Sequence, residues 1–495
     1  MLTFLPEHHF ASTVHQFSMV VQVAMFIDVF ISLIFGAGRN DGDFVMGLMN
    51  ILVFNTLNPS GTGLLTPSQQ DIIADLPSIW TALSRFNLEA KTTIYTVCPA
   101  CHCTYKPHFV NGSPLPQYPP HCTNKPNLAP DKCSEPLVKH DMADDGRSNF
   151  SHPIRPFVYH SFHDYLSGLL AWKDLEEFMD KTCNDLNAAL DESPLSMVTD
   201  VWEAQFLGTF DGPQQGIHFD DWGTEGHYGF VMNIDFCNVE GMCIHGANNS
   251  TGIVSLACIN LPADIQYKPE NMYMIIIPGP WKPKDMAHNY YLRPLVDDMV
   301  ESWYRGVKYP KTAMHPSGHT TWSSIIIASM DLPTARDTSQ LAGHGANIYC
   351  TVCKCTHCST LHWVDYENWE LQDNDEIRSH AEEWRDAQTL ADQATIFDLY
   401  GTCWSELWHL PYWCPAHQLV VDPMHCLFEV IASVHFQVWL WCQPQLQIPE
   451  SPLMSLPIRY PPMASYFRLS IIFLTPQICW KLSILKTKLN RWVKT

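Results

Sequence analysis

From Ser324 to Cys358 the chain reads SIIIASMDLPTARDTSQLAGHGANIYCTVCKCTHC, and this stretch constrains the fold most. Ile325, Ile326, Ile327 and Ala328 make a β-branched, apolar run with the length of a buried strand. It ends at Met330-Asp331-Leu332-Pro333, where a proline that cannot donate to a ladder closes the strand. Asp331 is thereby expected at a strand's carboxyl end, where α/β folds place their chemistry. Cys350 and Cys353 follow as Cys-x-x-Cys, with Cys355 and Cys358 directly behind. A carboxylate on a strand end, backed by a thiolate knuckle, points to a metal-dependent site with a metal-braced insertion. The plainer reading is an Asp that starts a turn and a cluster of inert thiols.

A second strand-then-carboxylate pattern lies upstream. Phe230-Val-Met-Asn-Ile234 is a short apolar strand running into Asp235-Phe236 and a turn. Gly252–Leu261 and Met272–Ile277 read as two further strands, and Tyr291–Gly306 as an amphipathic helix. Strand with Asp235, strand, strand, helix, strand with Asp331 is the order of a mixed α/β sheet of the ribonuclease-H-like kind.

The flanking segments differ in character. Residues 1–90 read as a helical N-terminal lobe broken by GAGRNDGD and NPSGTGLLTPS, both turn chemistry. Met19 to Phe35 is apolar, but Asp28 at its centre would cost roughly 2.5–3.5 kcal/mol in a bilayer, so a buried helix is expected and no membrane span. Residues 91–140 crowd Pro and Cys with little apolar periodicity and cannot bury a core of their own. Cys98, Cys101, Cys122 and Cys133 are the expected ligands of a structural zinc there, with His102, Cys103 or His121 as possible substitutes because the second pair is widely spaced. A proline-rich linker with unligated thiols is the alternative. The first residues, MLTFLPEHHF, lack the basic segment of a secretory leader, so metal ligation is expected of these thiols rather than disulfides. Residues 141–228 read as a helical and loop connector.

The chain carries 29 basic against 51 acidic residues, a net charge of −22. That argues against wrapping a nucleic acid by bulk electrostatics, while leaving room for a local acidic site that binds divalent ions.

The string INLPADIQYKPENMYMIIIPGPWKPKDMAHNYYLRPLVDDMVESWYRGV resembles the catalytic region of CACTA-type (En/Spm) transposases. So do MDLPTAR, the following CTVC, GTCWSELWHLPYW and VVDPMHCLF, in that order. The similarity runs over roughly residues 90–436. It implies a ribonuclease-H-like catalytic domain over 229–436 and DNA strand cleavage and transfer at transposon ends by an acidic triad. Asp235 matches the first acid and Asp331 the second, with Mg²⁺ or Mn²⁺ as the catalytic ions. Cys350 and Cys353 match a CxxC that joins downstream histidines on zinc in related transposases and the V(D)J recombinase, with His425 the first candidate and His435 the second; Cys355 and Cys358 could instead close the site locally. By the same resemblance DNA is the partner, the nucleus the location, and a homo-oligomer is to be considered.

The chain departs from the family in places. Phe236-Cys237-Asn238-Val239 stands where a Trp-Phe-Asn-Pro-like turn is usual, Cys403 where a basic residue precedes WSEL, and Cys414 where an acid follows PYW. The third acid should lie downstream of His425, yet the similarity stops near Phe436, leaving Asp422 and Glu429 as the nearby acids. Residues 437–495 hold one acid, Glu450, against seven basic residues, and are broken by prolines from Pro444 to Pro476. This basic tail reads either as a DNA-contacting extension or, preferably, as a replacement of the domain's C-terminal half, so the expectation is a transposase-like protein that does not complete its triad. The competing expectations are a domesticated, non-catalytic zinc-dependent DNA- or protein-binding protein and, further off, a metal hydrolase unrelated to DNA.

Overall fold

The computed structural model describes residues 2–422 apart from short internal stretches, the longest of them 143–148, 191–199, 239–249 and 359–367. The first residues do not belong to a separate lobe. Strand β1 (Leu2–Thr3) pairs in parallel with a strand far downstream. Helices α1 (Met19–Ile34), α2 (Arg39–Leu57) and α3 (Pro67–Ala74) follow, α3 opening with Pro67 behind an N-capping Thr66. Among the described residues no helix is long and apolar enough to cross a membrane.

Strand β2 (Thr92–Val97) pairs antiparallel with β3 (Pro156–His160), so the stretch read as a connector begins with strands before its helices α4 (Phe162–Leu170) and α5 (Lys173–Leu190). The central sheet is then laid down. Strand β4 (Gly226–Asn238) pairs antiparallel with β5 (Ser250–Cys258), which pairs antiparallel with β6 (Tyr273–Ile277). Helix α6 (Ala287–Arg305) crosses the sheet and leads through β7 (Val307–Tyr309), the partner of β1, to β8 (His319–Met330). Strand β8 inserts beside β4 in parallel. Helix α7 (Leu332–Ser339), α8 (Asn374–Asp386) and α9 (Leu390–Tyr400) precede a last strand, β9 (Leu419–Val421), parallel to the carboxyl end of β8.

The result is a mixed α/β architecture, its seven-stranded sheet running β1-β7-β8-β4-β5-β6 with β9 on the end of β8. Tyr228, Phe230, Met232 and Ile234 of β4 and Ile325, Ala328 and Met330 of β8 enter one core with Leu292, Leu295 and Met299 of α6. Val231 and Ile326 face a second, aromatic cluster with Phe210 and Trp303. Being covered on both faces is what makes Ile325–Ala328 a continuous apolar run rather than an alternating one.

Strand β4 outruns its sequence reading. Asp235 to Asn238 remain in the strand because β5 supplies a ladder as far as Asn238, pairing Asp235 with Ile253. Asp235 therefore lies within the strand and not at a turn.

Candidate functional site

The site is built by register. The parallel pairing of β4 and β8 ends with Met232 beside Ala328; Asp235 lies three residues beyond the first and Asp331 three beyond the second. On the far side of β8, Met330 pairs with Val421, and the residues that follow them are Asp331 and Asp422. Three carboxylates thus stand on three neighbouring parallel strands, whose backbones lie about 5 Å apart: Asp331 and Asp422 directly after the ends of β8 and β9, and Asp235 inside β4, three residues short of its end. Since Met232, Ile234, Ala328 and Met330 point into the main core, the period of two turns Asp235 and Asp331 to the other face. Asn233, on that same face, ties the two strands with a 2.7 Å bond from Nδ2 to the Ser329 carbonyl.

Each acid is differently held. Asp235 is exposed and its Oδ1 accepts from the Phe236 N–H at 2.7 Å. Asp331 is half-buried and caps α7, its Oδ1 accepting from the Thr334 N–H at 2.7 Å. Asp422 is half-buried at the close of β9. On that face Phe206, Phe210, Trp303, Tyr412 and His417 line a cavity of about 790 Å³ against the second cluster, a surface on which a planar ring could stack.

Helix α7 links the acids to the Cys-x-x-Cys. The buried Arg336 donates from Nη2 to the Tyr349 carbonyl at 2.6 Å, one residue before Cys350. Cys353 Sγ lies 3.0 Å from Cys350 Sγ, Cys353 and Cys355 are buried, and Cys358 is exposed. Among the described residues this pair gathers no third donor into a group close enough to hold an ion. His425, with His435 and Glu429, lies outside the described residues.

The upstream cysteines converge. Sγ atoms of Cys98, Cys101, Cys122 and Cys133 all lie within 4.8 Å of one another, with 3.6 Å from Cys98 to Cys133 and 3.5 Å from Cys101 to Cys122. Tetrahedral bonds of about 2.3 Å require sulfur separations of about 3.8 Å, so four thiolates here fit a borderline divalent ion. Local backbone chemistry builds both halves. The first knuckle closes through Cys98 N–H to the Cys103 carbonyl and His102 N–H to the Cys98 carbonyl, with His102 at φ +62°. The second pair is brought together by Cys122 N–H to the Glu135 carbonyl and Cys133 N–H to the Asn124 carbonyl, which is why a wide C-x10-C serves. A thiol hydrogen bond shared with Cys98 pulls Cys101 down to about 5 and raises Cys98. The proposed substitutes are not part of the cluster. His102 turns inward to the Tyr291 hydroxyl at 2.9 Å and is pushed down to about 4, by burial and then by Arg155. Burial pushes the Cys103 thiol up to about 12, and His121 is exposed.

Two groups of donors had no signal in the sequence. One is buried Asp164 beneath His8 (2.8 Å), His9 (3.4 Å) and His160 (3.3 Å), which fastens the N-terminal residues to α4. The other joins α5 to the start of β8 and is taken up below. Compared with known proteins, the chain matches no family model and none of the curated proteins.

Proposed function

We propose that the chain is a transposase-like protein with a ribonuclease-H-like catalytic domain, acting in metal-dependent cleavage and transfer of DNA strands. The observation that carries the reading is the row of Asp235, Asp331 and Asp422 on three adjacent parallel strands. The strand order β6-β5-β4-β8-β9, with only β5 antiparallel to its neighbours, supports the ribonuclease-H-like assignment. Three acids on one row suit Mg²⁺ or Mn²⁺, which at such a site activates the attacking oxygen and stabilises the leaving one at phosphorus. In this reading Asp422 supplies the third carboxylate. Cys98, Cys101, Cys122 and Cys133 hold a structural zinc, and Cys350 and Cys353 share a second with His425. With a net charge of −22, DNA is held by local contacts more than by long-range attraction.

A non-catalytic zinc-dependent binding protein is the second reading, favoured by the commitment of Asp331 Oδ1 to capping α7. Nicking of supercoiled plasmid in Mn²⁺ separates the two. Asp331→Asn keeps a capping acceptor while removing the charge, so it should leave the thermal midpoint nearly unchanged and lower nicking by about 100-fold or more, as should Asp235→Asn and Asp422→Asn. Nicking that is absent in the wild type, or indifferent to all three substitutions, would overturn the catalytic reading.

A further inference from the structure

We infer that Glu176, Asp180, His315 and His319 form a binding site for one divalent first-row transition ion of the Zn²⁺ class, which clamps α5 to the start of β8. The two acids are four residues apart on one face of α5. The two histidines are brought together by a turn in which Gly318, at φ +110°, donates to the His315 carbonyl; their rings stack at 4.2 Å and 14°. One ligand atom from each of the four lies within 4.8 Å of all the others. His315 Nε2 is 3.4 Å from Asp180 Oδ2 and 3.9 Å from Glu176 Oε1. Four bonds of about 2.0–2.2 Å in a tetrahedron need donors about 3.4 Å apart, so a small contraction closes the shell.

Surrounding groups already orient these ligands. The Tyr228 hydroxyl donates to Asp180 Oδ1 at 2.8 Å, and the Met314 N–H to Glu176 Oε2 at 2.6 Å. Each bond occupies one oxygen of its carboxylate and leaves the other turned toward His315, as outer groups do around a metal. Glu176 is fully buried and its Oε1 has no hydrogen-bond partner, a costly position for a carboxylate that a bound cation would relieve. Gly226 leaves the room: a Cβ there would come within 2.7 Å of His319 Nε2. Two imidazoles with two carboxylates favour a borderline ion over Mg²⁺. The site is structural in place as well as in kind, since twelve residues of β8 put it about 40 Å from Asp331.

The test uses the full chain, freed of metal and loaded with Zn²⁺ or Co²⁺. Asp180 and His315 are partly exposed, at 26% and 36%, so Asp180→Asn and His315→Ala are the variants. Each should lower bound Zn²⁺ by one equivalent per chain without changing the Cys98–Cys133 site, whose Co²⁺ form absorbs strongly through its thiolates. In a Cys98→Ser/Cys101→Ser background, the weaker visible bands of nitrogen- and oxygen-ligated Co²⁺ should persist and disappear on adding His315→Ala. Zinc counts unchanged in both variants, or no His315-dependent Co²⁺ band in that background, would overturn the site. If a variant does not fold, a wild-type zinc absorption spectrum with only sulfur neighbours does the same.

Discussion

Asp28 shows how one buried charge sets a pH dependence. It sits in α1 fully buried, with neither carboxylate oxygen hydrogen-bonded. Burial, and then the charge of Asp43, pushes its carboxyl from 3.8 up to about 6. The folded chain then binds this proton more tightly than the unfolded one. The contribution of Asp28 to stability is most favourable below about pH 4, declines as pH rises through about 6, and stays lower above. Asp28→Asn should flatten that decline and raise stability at pH 7.5 by on the order of 2 kcal/mol. Denaturant unfolding at pH 5 and 7.5 reads it; parallel wild-type and variant slopes would refute it. The residues legible in the sequence included those with a local signature, Asp331 before its proline and Cys98 and Cys101 in one knuckle, and also Cys122 and Cys133, read as the widely spaced second half of the same group. The Glu176–His315 set was not, because its two i, i+4 pairs lie as far apart in the chain as α5 and the start of β8, and neither pair alone carries a ligand signature.

At the scale of elements, the sequence disclosed β5 and β6 nearly to their ends, but of the two central strands, β4 and β8, only the apolar middle. Strand β8 begins at His319, six residues before its isoleucine run, because Thr321, Ser323 and Ser324 are buried against neighbours that only the fold supplies. The Ser323 N–H, for example, donates to Ser302 Oγ of α6 at 3.0 Å. The end of α6 is more plainly written. Gly306 stops the helix at φ +63° and ψ 157°, a region open in practice to glycine alone, and donates to the Ser302 carbonyl. A Cβ there would also lie 3.0 Å from the Trp322 ring. Gly306→Ala should therefore cost about 1–3 kcal/mol and lower the thermal midpoint. Gly343→Ala, where a Cβ meets nothing within 4 Å, is the matched control and should change little.

Across the whole molecule the question is whether the cysteine cluster matters beyond its own loop. It is not a detached knuckle. The Thr104 hydroxyl donates to the Tyr290 carbonyl at 3.0 Å, Asn124 Nδ2 to the Tyr290 hydroxyl at 2.8 Å, and His102 meets the Tyr291 hydroxyl. Arg155 Nη2 reaches the Pro278 carbonyl at the end of β6. The contacts of Thr104, Asn124 and His102 fall on the first turn of α6, and α6 is the helix packed under β4 and β8. On the proposed reading, a segment with almost no apolar core, centred on buried Cys98, Cys122 and Leu137, holds that wedge through a metal shared by its four thiolates. Structural zinc supplies roughly 10–16 kcal/mol of apparent binding energy in such cases. If that site holds the proposed zinc, chelation or Cys122→Ser should strip hydrogen-exchange protection from residues 98–137 and from the first two turns of α6. The β4–β5 ladder, held by its own pairing, should stay protected. Exchange measured by mass spectrometry distinguishes the outcomes, since loss confined to 98–137 would mean that the cluster only staples its own loop.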